Sequence, residues 1–181
     1  MTFPPYTAAE AQSRETFLAL MWALSYPGRI YQLPASGESF ALIAETLLDL
    51  DTSYFTPDES LQPVLARTGA HERSTSDAAY HFYAQVTENT LPHIKEANIG
   101  TMLYPDTGAT LVIGCQIGSG TEFVLSGPGV NGQQAVQIGG LPDAFWELRD
   151  STCKYPLGWD VFLVDGKQVV GLPRSTRIER V

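Results

Sequence analysis

Residues 109–117, Ala-Thr-Leu-Val-Ile-Gly-Cys-Gln-Ile, form a near-continuous apolar run in the second half of the chain. Strands solvated on one face alternate apolar and polar residues, so a run without that alternation reads as a strand buried on both faces. The sequence around it is mostly β as well. Gly118-Ser119-Gly120 reads as a turn into a strand over Glu122–Ser126, and Gly127-Pro128-Gly129 as a second turn. Trp159–Val164 and Lys167–Leu172 flank Asp165-Gly166, a pair that favours a hairpin with a type I′ turn.

Helical signals dominate the first half. After an extended start at Pro4-Pro5, Thr7 and Glu10 have capping-box spacing, with Phe17, Leu20, Met21 and Leu24 following as an amphipathic stripe. Glu10 and Arg14 add an i,i+4 pair. Ser25-Tyr26-Pro27-Gly28 ends this helix, because proline lacks a donor and glycine accepts a left-handed turn. Arg29–Leu33 alternates like a short strand, and Ser39–Leu50 predicts a second helix through Phe40, Ile43, Ala44 and Leu47. Weaker signals place strands at Tyr54–Thr56 and Tyr80–Val86. They place helices at Asp58–Ala66, interrupted by Pro63, at Glu88–Ala97, and at Pro142–Arg149 with Ala144, Phe145 and Leu148 inward. With no repeat or linker, residues 1–181 read as one α/β domain, a mixed sheet flanked by helices.

Charge narrows the function. Lys and Arg number 11 against 20 Asp and Glu, a formal net charge of −9. Such a field repels nucleic acid and anionic membranes, so neither is an expected partner. The apolar run Phe17–Leu24 is shorter than the roughly 20 residues of a membrane span, and its acidic flank does not suit a secretory signal. The expectation is a soluble cytoplasmic protein. Between Arg29 and Arg67 there is no Lys or Arg, while Glu38, Glu45, Asp49, Asp51, Asp58 and Glu59 accumulate. That stretch reads either as a solvated acidic face or as a docking surface for a basic partner. Cys115 and Cys153 lack metal-site or redox-motif spacing and read as reduced thiols.

Catalytic constellations are sparse. His71, His81 and His93 have no metal-motif spacing, and there is no P-loop, nucleophile elbow or dinucleotide fingerprint. Neither a metal nor a cofactor is expected. Of the three lysines, Lys95 and Lys167 sit in polar surroundings, and nothing local supports Lys154 as a Schiff-base residue. Two stretches carry alternatives. Ser126-Gly127-Pro128-Gly129 is either an inter-strand turn or a nest of backbone N–H groups for an anion. Pro173-Arg174-Ser175-Thr176-Arg177 is either a polar edge or a site where guanidinium groups meet a carboxylate or phosphate.

Four stretches together resemble the H subunit of bacterial carbon–phosphorus lyase, the PhnH family. They are Phe17–Gly28, Pro105–Leu111, Leu125–Val130, and Tyr155–Asp160 continuing through Leu172–Thr176. Leu18 stands where the family commonly has Arg, Tyr155 replaces a Phe, Trp159 an aliphatic residue and Ser175 a Thr. The resemblance implies a fold akin to pyridoxal-phosphate-dependent transferases without that cofactor. It also implies a homodimer when isolated, and membership with the G, I and J subunits of a phosphonate-degrading core complex. It further implies that the G, H, I and L subunits take part in forming ribose 1-alkylphosphonate 5-triphosphate from ATP and an alkylphosphonate. The H subunit is expected to complete a structure or pocket rather than to catalyse. The expected cavity or interface residues are Gly108, Thr110, Gly127, Pro128, Gly129, Pro156, Gly158, Asp160, Arg174, Ser175 and Thr176. The competing readings are a stand-alone transferase-type enzyme on a small anionic substrate and an adaptor that docks a basic partner.

Overall fold

The apolar run lies at the middle of the molecule, but it is two strands rather than one. In the computed structural model, which describes residues 7–181, the helices are α1 (Ala8–Ser25), α2 (Ser39–Leu47), α3 (Gln62–Ala66), α4 (Leu91–Glu96) and α5 (Asp143–Thr152). The strands are β1 (Tyr31–Gln32), β2 (Ser53–Phe55), β3 (His71–Glu72), β4 (Tyr80–Tyr83), β5 (Thr110–Gly114), β6 (Gln116–Ser126), β7 (Gln134–Gly139), β8 (Asp160–Asp165), β9 (Gln168–Leu172) and β10 (Arg177–Arg180). The Pro4-Pro5 start lies outside the described residues. A seven-stranded mixed sheet has the order β1-β9-β8-β5-β4-β2-β3, and a three-stranded antiparallel sheet the order β10-β6-β7.

β5 is central and parallel to both neighbours, β4 and β8. Its inner residues explain the missing alternation. Leu111 and Ile113 point into one core with Tyr83, Phe145, Trp159, Val161 and Leu163. Val112 points into the other with Leu20, Ile43, Phe82 and Phe162. The first core is closed by α4, α5 and the small sheet, the second by α1, α2 and α3. Beyond Gly114 the chain leaves the large sheet and continues as β6. A Cβ at Gly114 would lie 2.1 Å from the Ala84 carbonyl oxygen, so only glycine passes there.

Several sequence expectations change in detail. Gly118-Ser119-Gly120 is a bulge inside β6, not a turn between strands: Ile117 and Thr121 both oppose Ile138 of β7. Gly118 and Gly120 have positive φ, and Gly120 lies against the Gly139 backbone, which leaves no room for a side chain. The hairpin forms as expected, with Asp165 opposite Gln168, but its loop is Gly166-Lys167. Positive φ occurs there at Gly166 alone, the signature of a type II′ turn instead of type I′. Pro63 opens α3 in its first turn, where no N–H is needed, and does not interrupt it. Helix α2 stops at Leu47, because residues 49–52 form a turn tied by Thr52 and Asp49. Strand β4 stops at Tyr83, since the Ala84 N–H donates to Asp58 Oδ2 at 2.8 Å.

The capping box of α1 is present: Glu10 accepts from the Thr7 N–H at 2.7 Å, and the Thr7 hydroxyl accepts from the Glu10 N–H at 3.2 Å. The buried face, however, is Thr16, Ala19, Leu20 and Ala23, whereas Phe17 is 52% exposed. Close approach decides this rotation. A Cβ at Gly171 of β9 would sit 2.5 Å from the Ala23 carbonyl oxygen, so the helix lies on the strand by its smallest residues. Gly171→Ala should therefore lower unfolding stability by about 1–3 kcal/mol, the usual cost of overpacking, measured by denaturant titration. None of the described helices is long and apolar enough to cross a membrane.

One buried ionisable group also bears on the fold. His81 of β4 is fully enclosed, with Nδ1 3.2 Å from the Tyr83 hydroxyl and Nε2 without a partner. Burial, aided by nearby His93 and opposed by the Ala78 backbone, brings its pKa down to about 4. Below pH 6.5 the unfolded chain takes a proton that folded His81 refuses until about pH 4. Stability should fall through that window by up to about 3 kcal/mol. Denaturant titrations of the native chain and His81→Gln across pH 7 to 4 should show a shallower loss in the variant.

Candidate functional site

The hairpin β8–β9 places Asp160, the first residue of β8, beside the segment that leaves β9. Arg174 closes on it there. Its backbone N–H donates to Asp160 Oδ1 at 2.9 Å, its Nε to the same oxygen at 3.3 Å, and its Nη2 to Oδ2 at 2.7 Å. The pair is largely sheltered, with side chains 13% and 25% exposed. The guanidinium also donates to the carbonyls of Pro105 and Gly108. Gly108 must be glycine for this: a Cβ would stand 2.6 Å from both Arg174 Nη1 and the Gly158 carbonyl oxygen. One arginine thus ties the hairpin to the 105–108 loop through a bidentate, charge-assisted contact.

Beside this clamp runs a cleft of about 940 Å³ between α5 and the 174–180 segment. Its lining includes Trp146, Arg149, Cys153, Lys154, Tyr155, Ser175, Thr176 and Arg177. Arg149 comes from the inward face of α5, one turn after the buried Phe145. It donates to the carbonyls of Pro173 at 2.8 Å and Thr176 at 3.3 Å. Burial lowers its pKa, opposed by nearby Cys153, Asp160 and Asp150. No group of three or more metal-ligating side chains occurs among the described residues.

The predicted residues fall into two neighbouring groups and one outlier. Gly108, Thr110, Gly158, Asp160 and Arg174 converge, Thr110 standing opposite Asp160 in the parallel β5–β8 register. Pro156 follows a cis peptide bond in the loop leading to Gly158, whose N–H donates to the Ile99 carbonyl at 2.9 Å. Gly127 lies against the Ser175 carbonyl, and Thr176 is buried at the cleft, so these join the Arg174 segment. Gly129 packs instead on the Ser25 carbonyl at the end of α1. Residues 127–129 are exposed, and the Val130 N–H donates to the Gly127 carbonyl at 3.1 Å, the bond of a simple turn. Arg149 is the site residue that sequence reasoning missed. Its signal is a charge at i+4 from Phe145, on the face that should be apolar.

The departures noted in sequence also have places. Leu18 is half-buried on α1, and Trp159 fills the core, its indole N–H donating to the Ala97 carbonyl at 3.2 Å. The acidic stretch is partly engaged: Glu45 pairs with Arg67 at 3.6 Å, and Asp49 accepts from the Asp51 N–H.

A match to the profile of the family described as bacterial phosphonate metabolism protein (PhnH) covers residues 4–179. The chain belongs to the PhnH family. Among its relatives, a Stutzerimonas stutzeri protein named for a C-P lyase subunit, HtxG, is 33% identical, over 92% of this chain and 86% of its own length. The Rhizobium meliloti protein named as subunit PhnH of alpha-D-ribose 1-methylphosphonate 5-triphosphate synthase is 30% identical, over 94% and 91%. Within this PhnH-family chain the Arg174–Asp160 pair is an internal clamp. Asp160→Ala should leave the guanidinium uncompensated and cost about 3 kcal/mol of stability, read by denaturant titration.

Proposed function

We propose that this chain is a subunit of carbon–phosphorus lyase in phosphonate catabolism. It acts in the cytoplasm as one domain, 1–181, with G, I and J subunits, and as a homodimer when isolated. The observation that carries this reading is the family match across nearly the whole chain, with relatives covered over most of their own lengths. The role is to complete structure or a pocket while the assembly makes ribose 1-alkylphosphonate 5-triphosphate from ATP and alkylphosphonate. The transferase-like fold that the sequence resemblance implies is part of the same reading.

Two structural features support a companion role over stand-alone turnover. Arg174, the cation best suited by sequence to hold an anionic substrate, has its donors committed to Asp160, Pro105 and Gly108. Meanwhile Met102, Leu103 and Tyr104 project from the loop that Arg174 anchors, 71%, 84% and 64% exposed. Consecutive large apolar residues in water are a feature of interaction surfaces. Co-expression of the tagged chain with G, I and J subunits, followed by native mass spectrometry, tests the proposal. A stoichiometric four-component assembly is expected, with Leu103→Asp reducing incorporation at least tenfold. Recovery of the chain alone from otherwise soluble subunits would overturn the assignment.

A further inference from the structure

Arg149 carries a buried charge that no carboxylate of the described residues meets in direct contact. It is 4% exposed, and Asp150 and Asp160 act on it from nearby without an ion-pair contact, Asp160 being held by Arg174. Two carbonyl oxygens take its Nη donors, which orders the guanidinium without cancelling its charge. Its Nε has no partner, and neither does the hydroxyl of Thr176, itself 3% exposed. A buried charge and two idle polar groups are each costly, and they meet at one wall of the same cleft.

We propose that this wall is a binding site for a tetrahedral oxyanion, the phosphate or phosphonate group of a small molecule in the α5–β10 cleft. Such a group supplies what is missing, negative charge plus acceptors for both Arg149 Nε–H and the Thr176 hydroxyl. Both atoms are closed off from solvent, so seating the anion turns the Thr176 hydroxyl outward about its one side-chain bond and shifts the Arg149 side chain toward the cleft that both residues line. A third oxygen then faces the exposed rim, where Lys154 and Arg177 stand. A planar carboxylate has only two oxygens and leaves that rim unmet, which favours the tetrahedral group. The rim also holds Glu147, Asp150 and Glu179, and Asp143 is taken by Arg180 at 2.9 Å. Most of the attraction therefore comes from the buried guanidinium, with a smaller share from Lys154 and Arg177, so binding weakens only modestly with added salt. The inference concerns the isolated chain and stands or falls apart from the subunit assignment.

The test is a titration of the isolated full chain with inorganic phosphate, against chloride at matched ionic strength. The arginine Nε–H resonances are followed by proton–nitrogen correlation spectroscopy, with affinity taken from calorimetry. A saturable shift of the Arg149 signal, assigned by its loss in Arg149→Lys, is expected with phosphate and not with chloride. Thr176→Val should weaken phosphate binding about tenfold while leaving the thermal midpoint without phosphate equal or higher, because an unpartnered hydroxyl is removed. This second variant decides the matter even where Arg149→Lys fails to fold. No phosphate-specific shift, or equal affinity in Thr176→Val, would overturn the site.

Discussion

The contact on which the rest of the structure depends is the bidentate pair between Asp160 and Arg174, because it joins pieces that strand pairing leaves separate. β8 and β9 belong to the large sheet and β10 to the small one, and the chain crosses between them over residues 173–176. Asp160 fixes the start of that crossing from below through both side chain and backbone of Arg174. From there the guanidinium reaches the 105–108 loop at the entrance to β5. Sheltered ion pairs contribute little net stability against a well-packed apolar alternative. Their value here is positional: planar, directional donors set how three segments meet.

A second arginine grips the same crossing. Arg149 takes the carbonyls of Pro173 and Thr176, the two residues that bracket Arg174 and Ser175. The Thr176 N–H closes a turn onto Pro173 at 2.9 Å. An acidic chain at −9 thus invests two of its few cations inside, where each orders backbone. The difference between them is compensation. Arg174 pairs directly with its carboxylate, while Arg149 hydrogen-bonds carbonyl oxygens and feels Asp150 and Asp160 only at a distance.

How much of this was legible in the sequence follows from how local each signal is. The α1 capping box, the Pro27-Gly28 stop and the β8–β9 hairpin depend on residues within a few positions of one another, and all three are present. The burial of Leu111, Val112 and Ile113 on two faces was likewise readable from the unalternating apolar run 109–117. What failed depended on distant partners. The face of α1 was set by Gly171, some 150 positions away, which admits Ala19 and Ala23 and turns Phe17 outward. Gly118 and Gly120 carry the residues of a turn, but pairing of β6 with β7 makes them a bulge. Arg174 stood out as a guanidinium that could meet a carboxylate or phosphate, but that its carboxylate is Asp160, fourteen residues earlier, could not be matched by spacing.

The same geometry links internal rigidity to external recognition. Met102, Leu103 and Tyr104 lie on a loop whose far end, Pro105 to Gly108, is held by Arg174. The near end is held at Ile99 and Asn98, whose carbonyls accept from Gly158 and Ala109 at 2.9 and 2.7 Å. A loop pinned at both ends presents its apolar side chains in one arrangement, so little backbone freedom remains to be lost when they are covered. Association pays for ordering as well as for lost tumbling, and a preformed surface reduces the first of these costs. A clamp that adds little to folding can in this way add to assembly, since the arginine that holds the crossing also fixes the surface a partner would meet.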